Sequence, residues 1–430
     1  MAQFKHVDVI EVRIWNQRVG AIAADPEVGA YVFEYDSKWL SKGDVDLAPF
    51  TMPIKGTRYA YVFPTLPKET FMGLPGMLSD ALPDRFGNQL IDAWMAQHGY
   101  APEQISTLDR LAYMGKRGMG ALEFRPSRAG RTSSSAPLQM ANLVEMARRA
   151  VQGTLSDDDA SATALNSIIS VGTSAGGARA KAVLGWNPET GDLVSGQFDV
   201  PEGFEHWLLK FDGMGLDREL GPSQQYGRIE YAYSQMAGAA RIKMSTCRLL
   251  QENGRAHFMT KRFDRVGNKK VHVQSLCAMR HMDYSLRQTH AYETLLLVGA
   301  DLKLGDEAMN QLLRRMAFNV AARNHDDHTK NFAFLLAEGG QWELAPAYDV
   351  TFAYDPSNVW LSHHLMSVNG KNDEITREDL MQLAVRFSIP GAKEAIDDVN
   401  DAISNWPEYA TKAGVGSDET QRIAELHVQL

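Results

Sequence analysis

The tract Asn324-His325-Asp326-Asp327-His328-Thr329-Lys330-Asn331 constrains this chain more than any other feature, because it sets a run of polar residues between two apolar elements. Ahead of it, Met309, Leu312, Leu313, Met316 and Val320 recur at helical spacing, with Asp306 as the predicted N-cap. Behind it, Phe332-Ala333-Phe334-Leu335-Leu336 reads as a buried strand, and Gly339-Gly340 as a turn. Trp342-Glu343-Leu344 then starts a return strand that ends near Asp349 in Ala347-Tyr348-Asp349. The order is helix, polar loop, hairpin, Asp.

An Asp followed five positions later by an Asn is the spacing of a phosphoryl-transfer loop. There the Asp accepts the proton of the attacking hydroxyl and the Asn holds magnesium, while a second Asp about twenty residues on supplies the other metal ligand. Asp326, Asn331 and Asp349 fill these places. Magnesium takes hard oxygen donors, and a nucleophile needs an acceptor beside it. The plainer alternative is a polar turn next to a helix, where Asp and Asn are favoured anyway. Pattern alone leaves both open.

At 430 residues the chain is long enough for two or three domains with sizeable cores. A net charge of −9 makes the whole a poor nucleic-acid binder. The two cysteines, Cys247 and Cys277, are far apart and lack metal-ligand spacing, so buried thiols in a reducing compartment are expected. Residues Met1 to Trp15 carry charges throughout, with no apolar core of a signal peptide, and no apolar run approaches the roughly 20 residues of a membrane span. A cytoplasmic protein is expected. Leu295 to Val298 is a short buried helix segment.

Residues 5–65 look β-rich: Ile10, Val12 and Ile14 alternate with Glu11 and Arg13, Asn16-Gln17-Arg18 is the expected turn, and Tyr59 to Phe63 is another strand. A helix is predicted from Asp84 to His98, a short one over 101–113, and a glycine-bent strand over Gly118 to Phe124. The stretch Arg128 to Pro137 is small and polar, the clearest linker, and a helix is expected from Leu138 to Gln152. A boundary is placed near residue 135, and the core around the loop is expected to begin after about residue 165.

Val171 to Gly177 is a small-residue loop ahead of the strand Lys181 to Trp186, suited either to close approach of backbone N–H groups to phosphates or to a plain turn. It matches neither the dinucleotide nor the Walker A pattern. In Trp207-Leu208-Leu209-Lys210-Phe211 the single Lys is either a phosphate ligand or a solvent-facing residue. Glu230, in the predicted helix Ile229 to Ala237, is either the ion-pair partner of Lys210 or a first-turn surface Glu. His257 to Arg265 is a strand running into a charged segment, where an adenine-contacting hinge would sit. His325, His328, His363 and His364 suggest a transition metal, but no H-E-x-x-H or Cys partner accompanies them, and no G-x-S-x-G elbow supports a serine hydrolase.

These segments together resemble the HipA family of bacterial toxin kinases over nearly the whole length. The resemblance rests on Gly73-Leu74-Pro75-Gly76-Met77-Leu78, Leu82-Pro83-Asp84-Arg85-Phe86-Gly87, Met119 to Leu122, Ser174 to Lys181, Lys210, Arg262-Phe263-Asp264-Arg265, Asn324 to Phe332 and Pro346-Ala347-Tyr348-Asp349. It implies an α+β, two-lobed, protein-kinase-like fold with a β-rich N-terminal module and a mainly helical C-terminal lobe. The divisions expected are 1–135 for that module, 136–260 for the N-lobe with its Gly/Ser loop, and 261–430 for the C-lobe.

The resemblance also implies phosphorylation of a protein Ser or Thr with ATP and Mg2+, a HipB-type helix-turn-helix antitoxin that supplies the DNA binding, and an aminoacyl-tRNA synthetase as one class of target. Position by position it makes Asp326 the base, Asn331 and Asp349 the metal ligands, and Gly176, Gly177, Lys181, Lys210, Phe263, His328 and Lys330 the ATP contacts. Ser174 matches the loop serine that family members autophosphorylate; the additional small residues Gly172-Thr173 leave Ser170 and Thr173 as alternatives. Two further readings are a small-molecule phosphotransferase of the aminoglycoside kind, which also places His before its Asp, and a corepressor that acts mainly by binding its antitoxin. The resemblance over the N-terminal 130 residues opposes the first, and the intact Asp326, Asn331, Asp349 and Lys210 oppose the second.

Overall fold

The computed structural model describes residues 6–56, 60–97, 100–127, 180–212, 225–252 and 254–430, together with Leu138 and Leu143. The expected linker, the helix from Leu138 to Gln152 and the small-residue loop 171–177 lie outside the described residues, apart from Leu138 and Leu143 themselves. The fold is mixed α and β with a helical C-terminal region, and divides into two compact units. The first comprises Met1–Leu216, Lys261–Asp283 and Leu336–Gln341; the second comprises Asp217–Thr260, Tyr284–Leu335 and Trp342–Leu430.

In the first unit an antiparallel sheet runs in the order Ala60–Val62, Ala30–Tyr35, Gln17–Asp25, Val9–Ile14, Leu122–Arg125. Ile10, Val12 and Ile14 are fully buried, as their alternation predicts. The first hairpin closes Ile14 on Gln17, so the turn is Trp15-Asn16, one position earlier than expected. Both residues have positive φ, 45° and 62°, the two-residue turn whose twist matches that of the strands. The helix Arg85–Gln97 starts where Asp84 accepts from Gly87 N at 2.7 Å. The expected helix over 101–113 is instead a single turn at Pro102–Gln104 followed by Thr107–Met114, because Ser106 and Asp109 form a capping box that restarts the helix. A second antiparallel set joins Leu193–Ser195, Lys181–Trp186 and Glu205–Lys210.

A charged cluster sits in the core of this unit. Asp264 is fully buried; it accepts from Arg262 Nε at 2.8 Å and Nη2 at 2.7 Å, from Arg265 Nη1 at 2.6 Å and from Gly120 N at 2.7 Å. Burial alone would raise its carboxyl, but the two guanidinium groups outweigh that and hold it well below the usual carboxylate range. Gly120 has φ 76°, and a Cβ there would lie 2.9 Å from Val273 N, so only glycine brings its N–H this close.

In the second unit the helix Asp306–Ala321 forms the axis. Gly305 takes the N-cap position at φ 83°, which puts Asp306 in the first turn, not at the cap. Its apolar stripe is buried as expected, and so are Gln311, Arg314, Arg315 and Asn319. Neighbouring segments supply partners to three of these: Gln311 bonds Lys243 N and Arg241 O, Arg314 reaches Ala240 O and Asp398, and Arg315 donates through Nη2 to Ala345 O at 2.7 Å. The helix Tyr226–Ala239 packs through Tyr233, whose hydroxyl donates to Ala322 O at 2.8 Å and whose ring meets Trp406 edge-on. The helices Arg377–Arg386, Ala392–Ser404, Trp406–Ala413 and Ser417–Leu426 complete the unit. Among the described residues no helix is long and apolar enough to cross a membrane.

Candidate active site

The polar tract leaves the Asp306–Ala321 helix through Arg323, which has φ 55°. Two main-chain bonds fix its start, His325 N to Ala353 O and Ala353 N to Arg323 O, both 3.0 Å. From there burial separates the residues by task. Asn324, His325, Asp327 and Thr329 are buried, whereas Asp326, His328, Lys330 and Asn331 are half-buried. A polar cap on a helix would not bury its charged members in this way.

Asp327 is the anchor. It is buried and accepts from Tyr292 OH at 2.8 Å, from Leu365 N at 2.8 Å and from the His364 ring at 2.9 Å. Asn319 donates to Tyr292 OH, and Asn324 donates to Asn319. The network ties the loop to its preceding helix and to the segment around residue 364. His325 packs between the rings of His364 and Tyr354, at 4.1 and 4.9 Å. Burial, and after it the neighbouring His364, push its pKa far down, so it is neutral. His325 and His364 are thereby used as scaffold. Among the described residues no group of three or more His, Cys, Asp or Glu could hold a metal ion.

Asp326 points out of this scaffold, with 30% of its side chain exposed. Its Oδ1 accepts from Trp360 Nε1 at 2.9 Å and lies 3.8 Å from His328 Nε2. Burial raises its pKa most; His328 and the indole N–H pull the other way, and the charges of Asp349 and Asp327 push it up again, so the net shift is upward. Asn331 closes a single helical turn, Thr329–Asn331, and donates its amide N–H to Asp326 O at 2.7 Å, which directs the amide oxygen away from that bond. Asp349 is half-buried at φ 55°, a conformation Asp tolerates better than most residues. Tyr348 beside it donates to Lys330 O at 2.6 Å. Lys330 Nζ lies 4.5 Å from the Tyr284 ring centre, and His328 meets the same ring edge-on.

This donor set suits magnesium. Asp349 and Asp326 repel each other through their charges, and an amide oxygen is available from Asn331. A carboxylate and an amide, completed by phosphate oxygens and water, are what magnesium ordinarily takes.

Of the remaining expected residues, Lys181, Lys210 and Phe263 lie in the first unit and Glu230 in the second. Lys181 and Lys210 are both buried and are direct cross-strand partners. The solvent-facing alternative for Lys210 therefore fails, as does the surface alternative for Glu230, which is 1% exposed. Lys181 Nζ lies 3.6 Å from Asp84 Oδ2. Phe263 is half-buried between the buried Arg262 and Asp264. Ser170, Thr173, Ser174, Gly176 and Gly177 lie outside the described residues. Sequence reasoning missed Trp360, 34 positions beyond Asp326 and in no local pattern with it, and assigned no role to Asp84.

The HipA N-terminal domain family matches residues 10–125, and the HipA-like C-terminal domain family matches residues 173–406. Among solved structures the chain is similar to one from the Shewanella oneidensis MR-1 toxin–antitoxin complex of HipA, HipB and operator DNA. The two are 15% identical, over 97% of this chain and 94% of that one, with a TM-score of 0.64. The Helicobacter pylori proinflammatory kinase CtkA matches at 12% identity over 53% of this chain and 93% of its own, with a TM-score of 0.32. No curated protein matches the sequence. At 15% identity the first likeness shows a shared fold.

Proposed function

This chain belongs to the HipA family, and from that premise we propose that it is a serine/threonine-protein kinase that transfers the γ-phosphoryl group of ATP to a bacterial protein. The observation that supports the reading is that the half-buried Asp326 is bonded through its main-chain oxygen to Asn331 and feels the charge of the half-buried Asp349, while the buried Asp327 next to it anchors the loop. Phosphoryl transfer asks a protein mainly for positioning and charge neutralisation. Asp326 receives the proton of the attacking hydroxyl. Asn331 and Asp349 would hold magnesium, which neutralises charge on the phosphates when bound. Lys181 and Lys210 supply positive charge for the phosphates, with His328 and Lys330 flanking the base and Phe263 contacting adenine.

The partner in this reading is a HipB-type antitoxin, through which DNA is reached indirectly; the support is the Shewanella complex of HipA, HipB and operator DNA. An aminoacyl-tRNA synthetase is the target class proposed, and Ser174 the site of self-phosphorylation. A phosphate there would add roughly −1.5 to −2 charges beside the triphosphate.

The test is transfer of label from γ-labelled ATP, with magnesium, to bacterial lysate proteins and separately to an aminoglycoside. The expected result is phosphoserine or phosphothreonine on protein, lost in Asp326→Asn, which still binds ATP. A loss of several orders of magnitude is expected from removing the base. Labelled aminoglycoside with unlabelled protein, or full turnover by Asp326→Asn, would overturn the reading.

A further inference from the structure

Among the described residues, the Asp326 carboxylate accepts a hydrogen bond at Oδ1 and at no other oxygen. The bond from Trp360 Nε1 to Oδ1 at 2.9 Å and the bond from Asn331 to the Asp326 main-chain oxygen at 2.7 Å fix, respectively, the carboxylate and the backbone that carries it. His328 Nε2 stands on the same side, 3.8 Å from Oδ1. A carboxylate tethered at one oxygen is restrained about its terminal torsion, which is otherwise broad and two-fold. An indole N–H is a donor only, so Trp360 can neither take a proton nor compete as a base.

The tryptophan is itself fixed. Its main-chain N–H donates to Asn358 Oδ1 at 2.8 Å, and Asn358 N donates to Asp355 O at 3.1 Å. Arg287 Nη1 grips the preceding carbonyl, Val359 O, at 2.7 Å, and Leu361 after it is fully buried. The turn that carries this half-buried side chain is thus bonded on both sides and anchored in the core.

We propose that Trp360 is a positioning residue for the transfer: its N–H occupies Oδ1 of Asp326 and turns Oδ2 toward the hydroxyl that attacks. At Oδ2 the acceptor O–H bond breaks and the proton is taken. The acceptor oxygen bonds the γ-phosphorus as the bond from that phosphorus to the β–γ bridging oxygen breaks, and ADP leaves. This inference rests on Asp326 being the base.

The experiment replaces Trp360 by Phe, and separately by benzothienylalanine, which keeps the indole shape but has sulfur in place of N–H. ADP formation from magnesium–ATP is followed with casein as acceptor. A lost bond to a charged group, or a misplaced base, predicts a fall in kcat of about ten- to a hundredfold. The KM for ATP is expected to stay within about twofold, as for an interaction that matters in the transition state, and the melting temperature of the benzothienylalanine protein is expected to be unchanged. Full kcat in the benzothienylalanine protein would overturn the proposal, because shape without the N–H would then suffice. A rise in kcat would overturn it too, making the indole a block on the base. Asp326→Asn, assayed in parallel, separates the failures: if it retains turnover, the base assignment is wrong; if it is dead while the isostere is fully active, only the role of Trp360 is wrong.

Discussion

Lys181 and Lys210 stand directly opposite each other on antiparallel strands, so two buried ammonium groups share one face of the sheet. Directly opposed like charges destabilise a sheet, and burial increases the cost. Asp84, capping the Arg85–Gln97 helix, offsets part of it at 3.6 Å from Lys181. In the proposed function these lysines face the phosphates of ATP.

Lys210→Met should therefore weaken ATP binding by about ten- to a hundredfold, the loss expected of one charge-assisted bond. The methionine keeps most of the apolar stem, so packing changes little. Isothermal titration with ATP and magnesium checks this, and unchanged affinity would remove Lys210 from the phosphate site.

For Asp349 the informative substitution is Asn, since Ala at φ 55° would confound metal loss with backbone strain. Asp349→Asn should lower ATP affinity about tenfold or more when magnesium is present, and leave metal-free nucleotide binding near wild type. Equal affinities with and without magnesium in the wild-type protein would count against Asp349 as a ligand.

Parts of this architecture are legible from local pattern, and parts depend on contacts that no local pattern carries. Ile10, Val12 and Ile14 announce a half-buried strand because side chains alternate with a period of two. The stripe on Asp306–Ala321 announces a helix for the equivalent reason. The burial of Gln311, Arg314 and Arg315 on that same helix was not readable, because it depends on carbonyls supplied by residues 240, 241 and 345. Lys210 and Glu230 looked ambiguous for a related reason: whether a strand Lys or a first-turn Glu meets water depends on what covers it. The spacing of Asp326, Asn331 and Asp349 was readable because it is a pattern within one short stretch of chain. Trp360 and His364 were not, since their partners lie 34 and 37 positions away.

The buried cluster around Asp264 yields a stability prediction. Asp264→Asn leaves Arg262 and Arg265 buried without their shared counter-charge. Breaking a buried pair by removing one partner typically costs about 3–5 kcal/mol. Urea unfolding of the variant should show a loss of that order, and a loss under about 1 kcal/mol would mean that water reaches the guanidinium groups.

The last prediction concerns acid. His272 is 1% exposed, and burial lowers its pKa to about 4. Its value in the unfolded chain is about 6.5. As the pH falls below 6.5 the unfolded chain therefore takes up a proton that the folded chain refuses, and stability falls through the window from 6.5 to about 4. Above 6.5 the imidazole is neutral in both states, and the contribution is flat. One such histidine gives a slope of up to about 1.4 kcal/mol per pH unit. His257, His281 and His427, also lowered to about 4 with burial as the main cause, add to it in the same direction. His272→Leu removes one titrating group while staying apolar, so its unfolding free energy should fall less steeply between pH 6.5 and 4.5 than that of the wild type. Denaturant titrations at half-unit pH intervals measure both slopes. Identical slopes would mean that His272 is protonated as readily in the folded protein as in the unfolded chain, and that the acid sensitivity lies with the other histidines.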